Sequence, residues 1–132
     1  MTIGAHTMSH PILSQLPREL ARAEIMECRA KLEAALHKPI WAFAYPFGDA
    51  ASVSSEIVTC AKGAGYDGAF LNIGGGLGVD LPRFALPRIH VTSEMSLAEF
   101  DGHVSGFHAE LQRRTGRAPS IAEGSTAHVM SD

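Results

Sequence analysis

The sequence has little of what marks a specialised environment. Only two of its 132 residues are cysteine. Cys28 and Cys60 each fall on the apolar side of a helical pattern, where a free thiol acts as a small hydrophobe, so buried thiols are expected rather than a disulfide. No apolar run approaches the roughly 18 residues that a membrane span requires, which predicts a soluble chain with no span. A basic excess is also missing. Eleven Lys and Arg stand against 14 Asp and Glu, a net charge of -3. The basic residues are scattered, whereas neutralising phosphates takes a cluster, so nucleic acid is excluded as a partner. Met1 leads into Gly4, His6 and Ser9 with no basic stretch and apolar segment, and no signal peptide is expected. The length suits one domain, or one piece of one, and falls short of the roughly 200 to 250 residues of an enclosed barrel.

What is present is an alternation of helical and strand patterns. Ile3, Gly4 and Ala5 could end a buried strand. After a Pro-marked loop, Pro17 suits the first position of a helix with Ala21, Ile25, Cys28, Leu32, Ala35 and Leu36 inside and Glu27 paired with Lys31 outside. Pro39 should stop it, and Ile40 to Tyr45 reads as a buried strand containing Trp41, broken by Pro46 and Gly48. Ser52 is expected to cap a second helix with Val53, Ile57, Cys60 and Ala64 inside and Gly65 at its end. Ala69 to Ile73 reads as a strand. A glycine loop at Gly74, Gly75, Gly76 and Gly78 follows, then a candidate strand from Leu86 to Val91. Ser96 and Glu99 form a capping box opening a helix with Leu97, Phe100, Val104, Phe107 and Leu111 on one stripe. From Thr115 onward the composition predicts disorder. The alternation implies crossover units and a parallel sheet, with functional residues where strands run into loops.

The sharpest local feature is His6-Thr7-Met8-Ser9-His10. Two imidazoles about one helical turn apart can face one metal ion, and Pro11 makes a compact turn more probable than a regular helix. Spacing alone leaves another reading open, in which one histidine satisfies local backbone and the other is solvated. The string Ile3 to Pro11 resembles the histidine motif of polysaccharide deacetylases, the NodB-homology or family-4 carbohydrate esterases. Phe43-Ala44-Tyr45-Pro46-Phe47-Gly48 is similar to that family's Pro-aromatic-Gly motif. Leu32-Glu33, Gly65-Tyr66 with Ala69, and Leu86-Pro87-Arg88-Ile89 extend the resemblance over Ile3 to Leu111.

The resemblance implies an α/β fold, part of a distorted (β/α) barrel with its N-terminal strands missing: residues 1–114 as an incomplete deacetylase domain and 115–132 as a tail. It implies a hydrolase that removes N-acetyl, or sometimes O-acetyl, groups from a poly- or oligosaccharide using a divalent metal, usually zinc, to activate water. By resemblance, His6 and His10 are metal ligands, the Phe47 backbone N–H is an oxyanion donor, and His90 is a general acid for the departing amine. Phe47 stands where the family more usually has tyrosine. His37, His103 and His108 are read as dipole-facing or solvated, Asp49 as serving a helix N-terminus, Arg83 and Arg88 as surface charges, and Trp41 as core.

The resemblance breaks at the aspartate pair that supplies the family's base and third ligand, which has no counterpart here. The arginine often found ahead of the Pro-aromatic-Gly motif is also absent, with Ala44 near its place, and so is an Asp-Trp motif. Weak metal binding and little turnover by the chain alone are therefore expected. An uncovered sheet edge would permit self-association. The competing class is a non-catalytic carbohydrate-binding or scaffold protein on the same fold; a closed structural metal site fits less well, because neither cysteine lies near the histidines.

Overall fold

The computed structural model describes residues 2–74, 81–107 and Arg114. The chain divides into two compact units, Met1–His90 and Val91–Asp132. In the first, a 3-10 turn at Leu13–Gln15 buries Leu13 and leads into helix α1, Arg18–Leu36. Strand β1 is Ala42–Ala44, helix α2 is Ser55–Gly63, and strand β2 is Gly68–Phe70. β1 and β2 run parallel in the register Ala42–Gly68, Phe43–Ala69 and Ala44–Phe70. Isolated parallel bridges join Ala5 to Phe43 and Phe70 to Leu86. Four chain segments thus lie side by side in one direction, with α1 and α2 as the crossovers between the first three.

The core lies between this sheet and the two helices. Ala21, Ile25 and Cys28 of α1 meet Ile57, Cys60 and Ala61 of α2, with Phe43, Tyr45, Tyr66 and Ala69 completing the cluster. Both cysteines are free and buried. Burying the two phenols is tolerable because each finds an acceptor: Tyr66 Oη donates to the Ile25 carbonyl at 2.9 Å and Tyr45 Oη to the Phe84 carbonyl at 3.1 Å. Burial pushes both phenol pKa values well above the ordinary range.

Several expectations shift in the folded chain. Pro17 is the N-cap of α1, one position outside it, and the helix ends at His37, which takes a left-handed conformation and donates its N–H to the Glu33 carbonyl before Pro39 is reached. Ala35 and Leu36, expected inside, are exposed. The ion pair four apart on α1 is Arg29 with Glu33 at 2.9 Å, not Glu27 with Lys31. Ser54 caps α2, accepting from the Ile57 N–H, whereas Ser52 is buried and bonded to Asp49. Trp41 is 43% exposed against the edge of Phe70 rather than core. The strand expected over Leu86 to Val91 contracts to the bridge at Leu86. Gly65 ends α2 as expected, at φ +80°.

In the second unit, the capping box at Ser96 and Glu99 opens helix α3, Leu97–Val104. Its stripe residues Leu97, Phe100 and Val104 are exposed. Leu111, His108, the glycines beyond Gly74 and the tail from Thr115 lie outside the described residues. No helix among the described residues is long and apolar enough to cross a membrane.

Glu33 ties the end of α1 to the approach to β1, accepting from the Ile40 N–H at 2.9 Å and from Arg29 Nε at 2.9 Å. Arg29 Nη1 reaches on to the Ala64 carbonyl at 2.6 Å beyond α2. The Ile40 N–H first, and the Arg29 guanidinium second, hold the Glu33 carboxyl below the usual carboxylate range. A depressed folded pKa gives stability that is complete above the unfolded value and is lost as the pH falls through the folded one. Urea titrations should show Glu33→Gln less stable than wild type at pH 7. The gap should close as the pH drops below about 4.3, the ordinary glutamate value; a gap constant down to pH 3 would contradict the ionic role.

Candidate metal centre

Two loops at the carboxyl ends of neighbouring parallel segments build the site. The Ala5 N–H donates to the Ala42 carbonyl and the Ala44 N–H to the Ala5 carbonyl, each at 2.9 Å. The residue after the bridge is His6, and the residues after β1 lead directly into Pro46, Phe47 and Gly48. Placement at strand C-termini is what open and closed parallel sheets offer to ligands.

His6 and His10 converge. Their ring centroids are 4.7 Å apart and the planes cross at 71°. Both residues are exposed. His6 Nδ1 lies 2.8 Å from the Ala44 carbonyl oxygen. A carbonyl can only accept, so Nδ1 carries a proton, and in the neutral ring Nε2 therefore keeps its lone pair. This is the arrangement that metal-ligating histidines use, one ring nitrogen held by a backbone acceptor and the other presented outward. The donor set therefore fits a divalent cation in type. It is short in number, because among the described residues no group of three or more His, Cys, Asp or Glu is placed to hold a metal.

The turn between the histidines is compact and not helical. Thr7 and His10 have φ of 63° and 59°. Such values are uncommon for residues other than glycine, and most costly for a β-branched one such as Thr7. Cross-links hold the turn there. Thr7 Oγ1 donates to the His6 carbonyl at 2.6 Å and accepts from the His10 N–H at 3.1 Å. Glu24, on α1, accepts from the N–H groups of Met8 and Ser9 and from Ser9 Oγ.

Phe47 is the third strained residue of the cluster, at φ 61°. The Gly48 N–H donates to the Pro46 carbonyl at 2.6 Å, closing a γ-turn with Phe47 at its centre. The positive-φ form of that turn is the rarer, strained one. Gly48 itself sits at φ +67°, and a Cβ there would collide with the Asn72 backbone nitrogen. The Phe47 ring lies 5.0 Å from the His10 ring at 64°. Three sparsely populated conformations thus lie within one surface patch, each kept there by the structure around it.

The first 69 residues, just over half of the 132, match the family model described as polysaccharide deacetylase. The chain belongs to the polysaccharide deacetylase family. Its fold is similar to that of the Streptococcus pyogenes deacetylase PplD in complex with acetate, with a TM-score of 0.70 at 22% identity over 76% of this chain and 43% of that one. A polysaccharide deacetylase from Bacillus cereus superposes with a TM-score of 0.67 at 24% identity over 78% of this chain and 32% of that one. At such identities the likeness is one of fold, and the chain spans less than half the length of either structure. No curated protein matches it by sequence. The α/β arrangement of this chain, with its short parallel sheet, is thus that of part of a distorted (β/α) barrel of the polysaccharide deacetylase type.

Of the other residues singled out in the sequence, His90 is exposed at the end of the first unit, and no hydrogen bond or ring contact joins it to the histidine pair. Asp49 does not serve α2. Its carboxylate accepts from the Ala51 and Ser52 N–H groups in the loop before the helix, and the Ser52 hydroxyl and N–H hold its pKa below the usual range. Arg88 Nε donates to the Leu71 carbonyl at 2.8 Å, so that side chain braces the loop after β2 instead of standing free at the surface. His103, on α3, is half-buried rather than solvated. Sequence reasoning missed Thr7 and Glu24. A threonine inside a His-x-x-x-His spacing was a usable signal for the first, since its hydroxyl can bond backbone three residues on.

Thr7 is 9% exposed, so its hydroxyl has little access to water. Thr7→Val leaves the His10 N–H without its acceptor and should cost about 1–3 kcal/mol in urea denaturation. Thr7→Ser keeps the oxygen and removes the β-branch from a positive-φ position, so it should match or exceed wild-type stability. Equal losses in both variants would show that the hydroxyl is not what holds the turn.

Proposed function

We propose that this chain carries part of a metal-dependent deacetylase centre acting on acetyl groups, N-linked or O-linked, of a poly- or oligosaccharide. His6 and His10 supply two ligands, and the third ligand and a carboxylate base come from outside the described residues. The observation that carries the reading is the His6 tautomer beside a second imidazole: the Ala44 carbonyl engages Nδ1, which leaves the Nε2 lone pair for a cation, and the His10 ring centroid lies 4.7 Å from that of His6. Nitrogen donors in a small, open site favour zinc. When bound, such a cation supplies Lewis-acid polarisation of a carbonyl and acidification of water.

The chain's own residues have these roles. Pre-set backbone and a fixed tautomer let His6 and His10 bind with little reorganisation. The Phe47 N–H, which donates to no acceptor among the described residues, serves the acetyl oxygen as negative charge develops on it. That role belongs to the main chain, so phenylalanine in place of tyrosine is compatible with it. His90, exposed four residues beyond the Leu86 bridge, is assigned the proton for the departing amine. Two imidazoles without a third ligand make a weak site, so the 132-residue chain alone binds zinc weakly and turns over little.

Calorimetric titration tests this. Zinc should bind weakly to wild type. Alanine at His6 or His10 should lower affinity by at least the roughly 10- to 100-fold that loss of an outer hydrogen-bonding partner of a ligand costs. Oligomers of N-acetylglucosamine that bind equally with and without zinc, with no acetate released even when a complete homologous N-terminal segment is added, would instead make the chain a carbohydrate-binding module. Zinc affinity unchanged by both histidine substitutions would end the metal-site reading.

A further inference from the structure

The two imidazoles are exposed; their rings meet each other, His10 also meets Phe47, and His6 Nδ1 is bonded to the Ala44 carbonyl. Their convergence depends as well on the backbone between them, which is strained at both Thr7 and His10. Thr7 closes the two ends of the turn through the His6 carbonyl and the His10 N–H. The middle is held from elsewhere. Met8 N–H and Ser9 N–H both donate to Glu24 Oε2, at 2.8 and 2.9 Å, and Ser9 Oγ donates to Oε1 at 2.6 Å. Two successive N–H groups following a positive-φ residue make a concavity that suits an anion, and here one carboxylate fills it.

Glu24 is well placed for the task. It lies one turn from Ala21 and Cys28 and next to Ile25, all buried, so its backbone is fixed to the core while its own side chain is half-buried at the edge of that face. Desolvation works to raise its pKa, but the hydrogen bonds from Ser9 and Met8 together outweigh it and keep the carboxylate below its usual range. A residue 14 positions beyond His10 thus bonds the chain between two candidate ligands at three points.

We infer that Glu24 is a positioning residue for the histidine pair, clamping the Met8–Ser9 backbone so that the strained turn keeps both rings converged and His6 Nδ1 on the Ala44 carbonyl. The inference rests on the two-histidine reading for its metal consequence, but the clamp itself has a metal-free signature. Without it the turn relaxes at Thr7 and His10, His6 loses its fixed acceptor, and its proton is shared between the two ring nitrogens.

Long-range proton–nitrogen spectra of the histidine rings in the whole 132-residue chain, first without metal and then through a zinc titration, test it. Wild type should show His6 as the Nδ1–H tautomer. Glu24→Ala should give mixed tautomers and raise the zinc dissociation constant by about 10-fold or more. Glu24→Gln, which keeps an acceptor of the same reach, should restore most of both. Glu33→Gln is the control: it lowers stability on the far side of α1 and should leave tautomer and zinc binding as in wild type. A Glu24→Ala protein that loses stability yet keeps the wild-type tautomer and zinc affinity overturns the inference, because a purely structural glutamate behaves that way. If Glu24→Ala fails to fold, Ser9→Ala decides. It removes one of the three bonds and should move both readouts part of the way, and no movement in either counts against the clamp. Wild type that shows no zinc-dependent change removes the metal reading, while the tautomer comparison still decides the role of Glu24.

Discussion

The pairing of Ala5 with β1 is the contact on which the site depends. Two backbone hydrogen bonds, Ala5 N–H to Ala42 and Ala44 N–H to Ala5, fix the register of a segment too short to be a strand in its own right. A slip of one residue would turn every side chain to the opposite face. In the observed register Ala5 faces the core and His6 faces out at the end of the sheet, where the carbonyl of Ala44 is within reach of its ring. The same pairing sets the histidine turn beside the Pro46–Gly48 loop, so one short contact positions both halves of the candidate centre.

Around that contact, the fold spends rigidity where it is needed. α1 is anchored by Ala21, Ile25 and Cys28, and from it Glu24 reaches the histidine turn while Arg29 and Glu33 reach the ends of α2 and the approach to β1. One helix therefore organises both the site and its support. The exposed ion pair between Arg18 and Glu56, at 3.5 Å, adds little by comparison, since solvent screens both partners. Three non-glycine residues at positive φ cluster at the site, and His37 holds the only other such conformation among the described residues, as a helix cap. Local strain and the candidate site coincide here.

Membership of the deacetylase family and the donor set together frame the chemistry. The family is one of hydrolases, whereas the described residues bring together two histidines and no third His, Cys, Asp or Glu that could join them on a metal. The chain spans 43% and 32% of the two solved relatives.

Much was legible in the residues themselves. Helical spacing gave α1 and the stripe of α3, Ser96 with Glu99 gave a cap, Gly65 gave a helix end, and two ordered motifs gave the family and the histidine pair, because all of these depend on neighbours within a few positions. Tertiary structure alone decided what depends on distant partners. Trp41 sits in an apolar segment but faces outward, since which side of β1 is covered is set by α1 and α2. Ser52 looks like a cap and Asp49 like a dipole partner, yet each bonds the other in a loop. The strand after Pro87 shrank to one bridge, because a ladder needs a neighbour with matching hydrogen-bonding groups. Above all, the Ala44 carbonyl that sets the His6 tautomer is 38 residues away and the Glu24 carboxylate beneath Ser9 is 15 away. No local pattern encodes such contacts; they exist only once the core has brought β1 and α1 to either side of the histidine turn.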